Sequence, residues 1–448
     1  MKAHQLSKIP LLLPTSLLFA ACSSPSASDG TSSNPTDDPI VAVATSEEAS
    51  GPHVNAITEA PTGFDNLTNG FNPNHLSTTP GAGGTPSALQ AAMNGAKDTF
   101  SEVEEFGDGI GPVFNNTSCV SCHESPRSQA GTGSQITELR AGHFNGITFT
   151  DHPGGSLIND RANDRSIQEH ILSGNEVQAL RLTLSIAGDG YVEAIDSNTL
   201  QAIANAQPAA QRGTLIQVPV LEAGGTVRAA RFGWKNQPSS LLSFAADAYL
   251  NEMGVTNKLL NTENTSNGTV VQGGPFDGKG DPSATGEDDA GDINEFTFFM
   301  RSMKAPPRGP INAQVTAGQS TFNAIGCATC HVGTITTAPA GTVINGGALT
   351  VDPAVGDKNI HPFGDFLLHD VGTGDGIVQN GGQGTRNQVR TAPLWGIGAR
   401  TRFMHDGASL TVSAAVLRHG NQAATARNNF NALSATSQAN VLAFIFSL

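Results

Sequence analysis

Cysteine is scarce in this chain, with five residues in 448, and four of them stand in two matching short arrangements. No pair is left over for a disulfide framework, so the fold must hold together without that kind of staple. Charge is scarce as well, at 14 % against about 25 % in ordinary globular domains. The balance is acidic, with a formal net charge of −15, which argues against nucleic acid or an anionic membrane face as a partner. Tryptophan occurs twice, at Trp234 and Trp395. The apolar stretch Ile9 to Phe19, broken by Pro14, is too short for an ordinary membrane-spanning helix. What the chain has in quantity is Gly, Asn, Thr and Ser, a composition suited to a compact protein with much loop.

The four paired cysteines read Cys119-Val-Ser-Cys122-His123 and Cys327-Ala-Thr-Cys330-His331. C-x-x-C-H is the attachment signature of c-type haem. Two thiols at this spacing match the porphyrin vinyl groups, and the imidazole of the next residue is held beneath the iron. A thioredoxin-like C-x-x-C or half a zinc site would also use two cysteines. Neither explains a His after the second cysteine in both copies. The spacing therefore predicts two covalent haems, with His123 and His331 as iron ligands.

Residues 1–22 read as an export signal: Lys2 and Lys8, the apolar core, then Ala20-Ala21 before Cys22. Leu18 to Cys22 resembles a bacterial lipobox, which accounts for the fifth cysteine as a lipid anchor; cleavage near Ala21 without lipid is the alternative. The resemblance to Gram-negative lipoproteins implies, with Ser23 rather than Asp after Cys22, sorting to the outer membrane, and haem attachment outside the cytoplasm agrees with a periplasmic address. Residues 23–88 are largely rich in Ser, Pro, Asp and Thr and are expected to form a disordered tether in which His53 is solvated.

Apolar spacing predicts helices over Leu89 to Phe106, Thr199 to Gln207, Leu241 to Leu250, Ile293 to Met303, Ala313 to Ile325, Leu410 to His419 and Ser434 to Leu448. Leu180 to Ile186 reads as a strand. The polar loop Asn261 to Asp292 is the expected boundary between a first haem domain, 89–292, and a second, 293–448. The fold class is mainly α with long loops. His143, His152 and His170 are available as distal groups for the first iron, and Phe114 is placed to cover a haem edge or to join the core.

The segments GCATCH, FLLHDVG, RTAPLWGIG, FMHDGASLT and LRHG, with FNNTSCVSCH, GYVEAI, RFGWKNQPSSL and NEMGVT upstream, resemble the di-haem oxidoreductase family of peroxidase-like proteins over about residues 95–448. That family is similar to bacterial di-haem cytochrome c peroxidases and to the maturation enzyme of methylamine dehydrogenase. The resemblance implies two cytochrome c-like haem domains, a peroxidatic haem on His123 and an electron-transfer haem on His331. It implies Trp234 as the residue between the haems and Glu252 as the distal acid/base, with Glu193 as the runner-up because the Trp-to-Glu interval is about two residues short. His405 matches a family His near the haems. The position that holds Met or Tyr in relatives is His419 here, so bis-His ligation of the second iron is expected, with Met404 as the competing ligand. The relatives' inter-haem calcium is at odds with Arg402, which stands where they have Pro. The activity implied is reduction of hydrogen peroxide with electrons from a small redox protein. An electron carrier with no substrate of its own, or an oxidase of a protein or organic substrate, are the alternatives.

Overall fold

The computed structural model describes residues 50–73, 85–124, 136–271, 273–276, 280, 287–288 and 291–448. The leader, Cys22 and residues 23–49 of the expected tether lie outside them. Ten α-helices occur among the described residues, and most lie within a few residues of the predicted bounds. α1 (Pro86–Ser101) starts where Thr85 Oγ1 accepts from Ala88 N and Pro86 presets the first turn. It buries Leu89, Met93, Ala96 and Phe100, one face at helical spacing. α2 (Cys119–Cys122) is a single turn, followed by α3 (Asp189–Glu193) and α4 (Ser197–Ala206). α5 (Leu241–Met253) is capped by Ser240 and ends on Gly254 in the left-handed region at φ 79°. A Cβ at Gly254 would stand 2.2 Å from Gly111 O, so this helix end can approach the first cysteine loop only with glycine there.

α6 (Asp292–Ser302) stops just before Ala305-Pro306-Pro307, as expected. Its packing departs from expectation. It lies against α1 and α5, with Phe296 and Phe299 in ring contact with Phe100, so it belongs to the first haem lobe and not to the second. The second lobe has a core of its own around Phe322, Phe363, Phe430 and Phe444, but the first lobe's core does not stop at the loop. One apolar cluster runs from Phe71, Met93 and Phe100 through Tyr249 and Phe299 to Ile335, Ile360 and Trp395. The Gly/Asp-rich loop marked a change of composition, whereas a domain boundary requires that few apolar contacts cross it.

The tether reading is also corrected for residues 50–73. Thr58–Glu59 pairs in parallel with Lys358–Ile360, His53 Nδ1 sits 2.6 Å from Asp357 Oδ1, and Phe71 is fully buried. A polar segment that cannot fold alone can still add a strand to an existing edge. The region 136–182, almost unread in the sequence, forms a four-stranded antiparallel sheet. Its central strand Thr137–Phe144 pairs with Phe149–Asp151, Leu157–Ile158 and Val177–Leu182, placing Glu138 opposite Arg181.

The second lobe is built from α7 (Ala313–Ala324), α8 (Val412–Leu417), α9 (Ala424–Asn431) and α10 (Ala435–Phe446). α7 and α10 cross in close contact at Gly318, where a Cβ would lie 1.9 Å from Asn440 O. No helix among the described residues is long and apolar enough to cross a membrane.

Two candidate haem sites

The first site forms where α2 ends. His123 N donates to Cys119 O, closing the turn so that both thiols and the imidazole reach one cavity of about 890 Å³. His123 Nδ1 lies 3.1 Å from Leu184 O. A carbonyl only accepts, so Nδ1 carries the proton and the lone pair is on Nε2, the form a metal needs. Burial pushes this imidazole down to about 4, which keeps it neutral at pH 7. Phe100 packs on its ring at 6.2 Å, and Phe114, though buried, lies outside the cavity lining.

The second site repeats the arrangement. Cys327–Thr329 make a 3-10 turn after Gly326 (φ 97°), and His331 Nδ1 donates to Phe363 O at 3.0 Å. Burial is again the main cause that lowers this imidazole to about 4. His419, just past α8, donates from Nδ1 to Ala415 O at 2.8 Å, which leaves its Nε2 lone pair free too. The His331 and His419 ring centres are 6.4 Å apart. A metal–imidazole bond is about 2 Å, so two rings in trans on one metal have centres about 6 Å apart. Both rings line a cavity of about 210 Å³ with Cys327, Cys330 and Met404. The residues present therefore fit a metal held between two imidazoles at this site.

Trp234 lines both cavities, with its Nε1 donating to Leu182 O at 2.7 Å. His405 meets its ring edge-on at 6.1 Å, lines the second cavity and hydrogen-bonds Thr373 O through Nε2. The short segment Leu182 to Leu184 ties these groups together. It accepts from Trp234 and from His123, and Leu182 N donates to His405 O at 2.6 Å. Arg402 lines the second cavity and donates to Gly407 O.

Glu252, in the last turn of α5, lines the first cavity, and its Oε2 accepts from Asn115 Nδ2 at 2.7 Å. Burial, and then the charge of Glu138, raise its carboxyl well above the usual range. Glu193 is elsewhere. Its carboxylate is buried outside both cavities, bound to Arg301 Nε at 2.6 Å, Arg301 Nη2 at 2.9 Å and Leu241 N at 2.8 Å. All its acceptor capacity is committed to structure, which removes it as an acid/base for the first site. Of the three distal histidines, His143 is exposed and paired with Glu176, and His152 is buried outside the cavity. Only His170 reaches the lining, as an exposed residue, and among the described residues no second imidazole makes ring contact with His123.

Two groups at the first site were missed in the sequence. Glu138 and Arg140 line the first cavity from the unanticipated sheet; their i, i+2 spacing within ITELRAGHF was the available sign of a shared strand face. The described residues hold one compact metal-ligand-type cluster, Cys330, Asp365 and His369, but it leaves out Cys327 and His331. No four-ligand set for zinc forms around either cysteine pair among those residues.

Behind Cys119, Glu104 accepts from Tyr249 OH at 2.9 Å. Burial is the main cause that lifts Glu104 from an ordinary 4.5 to about 7, against the Tyr249 hydrogen bond. A carboxyl raised on folding binds its proton more tightly in the native state. Its stabilising contribution is complete below about pH 4.5 and is lost as pH rises through about 7. Denaturant titrations of the haem-loaded protein are thus expected to show stability falling over that window, with a shallower fall in Glu104→Gln. Identical slopes would show that Glu104 is not the group responsible.

No curated protein matches the chain. Among solved structures, similarity extends to the di-haem peroxidase BthA from Burkholderia thailandensis, 13 % identical over 89 % of this chain and 95 % of that one, with a TM-score of 0.38. A hydrazine synthase of Kuenenia stuttgartiensis is also 13 % identical, over 89 % of this chain and 98 % of that one, at the same TM-score of 0.38. A MauG-like protein associated with microbial copper homeostasis is 15 % identical over 36 % of this chain and 53 % of that one, at 0.24. The family described as "Di-haem oxidoreductase, putative peroxidase" matches residues 132–448, beginning just after the first C-x-x-C-H and taking in the second. The chain belongs to that family of di-haem oxidoreductases.

Proposed function

We propose that the protein is an exported c-type di-haem peroxidase that reduces hydrogen peroxide at the first site with electrons received through the second. The asymmetry of the two sites carries this reading. His331 is faced by a second imidazole, His419, whereas His123 opens on a larger cavity that contains the carboxyl group of Glu252. Cys119 and Cys122, and Cys327 and Cys330, would hold one haem each by thioethers, in two cytochrome c-like lobes. A haem iron held there supplies the redox centre for cleaving an oxygen–oxygen bond.

The protein's own groups supply the rest. Glu252 delivers its proton to the peroxide oxygen that departs as water and recovers one from the other oxygen. Two electrons and two further protons complete the conversion of one peroxide to two waters. Trp234, in contact with both cavities, lies on the path from the second site to the first. His331 and His419 would hold the second iron between two imidazoles, which would give a lower potential than His/Met ligation through Met404. The donor is a small redox protein outside the cytoplasm, and the chain is tethered through a lipid at Cys22.

Optical and EPR spectra of the mature protein, oxidised and half-reduced, test the reading. One high-spin iron in either state is expected, and two low-spin irons in both states would favour a carrier without a substrate. His419→Ala is expected to convert the second, low-spin signal to high-spin. An unchanged spectrum would pass the ligand role to another residue such as Met404. Pyridine haemochrome assay should find two covalent haems per chain, falling to one in the Cys327→Ala/Cys330→Ala protein.

A further inference from the structure

The first cavity contains a second acid beside Glu252, with its own counter-ion. Glu138 and Arg140 stand two residues apart on the strand Thr137–Phe144, so their side chains share a face. Both line the cavity that holds His123 and Glu252. Arg140 Nε donates to Glu138 Oε1 at 2.8 Å, and its Nη1 donates to Ser156 Oγ at 3.3 Å, which fixes the guanidinium from two directions. The Glu138 and Glu252 carboxyls share that cavity and act on each other's proton. Two carboxylates offer only acceptors, so a hydrogen bond between them needs one of the pair to carry a proton. Arg140 is bonded to Glu138, which leaves the proton on Glu252.

We propose that Glu138, held as a carboxylate by Arg140, is a positioning residue that keeps the proton on Glu252 and aims that acid into the first cavity. The inference deepens the peroxidase reading and rests on it for its catalytic meaning. Charge in the surroundings agrees with the assignment. Burial opposes ionisation of Glu138, but the charge and hydrogen bond of Arg140 outweigh it and lower this carboxyl, whereas burial and the Glu138 charge raise Glu252. The other charged groups lining this cavity are Asp247 from α5, Arg181 from the neighbouring strand, and Asp160, Arg161, Glu169 and His170 from the segment 160–170. Asp247 is itself raised, chiefly by burial, and Arg181 is engaged by Asp375 at 2.7 Å. Arg140 is therefore the cation that decides which member of the pair ionises. The two carboxyls titrate as a unit.

The test uses the full-length protein loaded with both haems. Infrared difference spectra across pH follow the carboxylic acid C=O stretch, assigned to Glu252 by its loss in Glu252→Gln. Peroxide turnover is followed over the same pH range. Glu138→Gln removes the neighbouring negative charge, so Glu252 should lose its proton at lower pH. The infrared band and the alkaline limb of turnover should both move down by about one unit or more, each unit being a tenfold change in protonation ratio. Arg140→Gln removes the cation and should move both upward, and Glu138→Asp should restore most of the wild-type profile. Opposite shifts from neighbouring substitutions do not arise from a general loss of stability. Shifts in one common direction, or none, overturn the proposal. Absence of peroxide turnover from the wild type would sink the peroxidase reading alone, since the infrared band reports on the pair without it.

Discussion

Glu252→Gln is expected to lower peroxide turnover by about 10²–10⁴-fold with both haems retained, the range typical of losing a positioned general acid/base. The substitution changes little else. Glutamine keeps the shape of the side chain and an oxygen able to accept from Asn115 Nδ2. The backbone at this position is held independently, because Asn115 N and Asn116 N both donate to Glu252 O, at 2.8 and 3.2 Å. These bonds join the end of α5 to the loop that delivers Cys119, so geometry survives while the movable proton is lost. Initial rates of peroxide consumption, normalised to covalent haem, measure the effect. Full turnover in Glu252→Gln would remove the residue from the chemistry.

Arg301→Met is expected to give the largest loss of stability, about 3–5 kcal/mol, because it strands a buried carboxylate. Glu193 and Arg301 form a bidentate pair with side chains 1 % and 3 % exposed. The same carboxylate accepts from Leu241 N at the start of α5 and from Asn345 Nδ2 at 3.0 Å. One buried anion thus joins α3, α5, α6 and the turn at Asn345. Replacing both partners, as in Glu193→Leu/Arg301→Met, should cost less than Arg301→Met alone, since no unpaired charge then remains in the core. Denaturant unfolding followed in the far ultraviolet separates the cases. A double variant less stable than the single one would show that the pair itself supplies the stability.

The two cysteine motifs were legible because their chemistry is local: the thiols and imidazole that must meet lie within five residues of one another. The helices were legible for the same kind of reason, since caps such as Thr85 and Ser240 and the prolines after Met303 act on their immediate neighbours. His419, the imidazole that faces His331, came from counting along a resemblance, and composition gave no hint of it. The resemblance ranked Glu252 above Glu193, but an interval about two residues short kept both in play, and each stands near a helix end. The surroundings distinguish them: one is locked to Arg301, the other faces a cavity.

The amino-acid order by itself determined the two cysteine pairs, the imidazoles beside them and the helices that deliver them, because each depends on contacts within a few turns of chain. Only the tertiary structure decided that residues 58–59 join a strand near the second site, that α6 serves the first, and that Glu138 meets Glu252 beneath Arg140. Those outcomes depend on which distant surfaces exclude water from each other, and neither periodicity nor spacing along the chain records that.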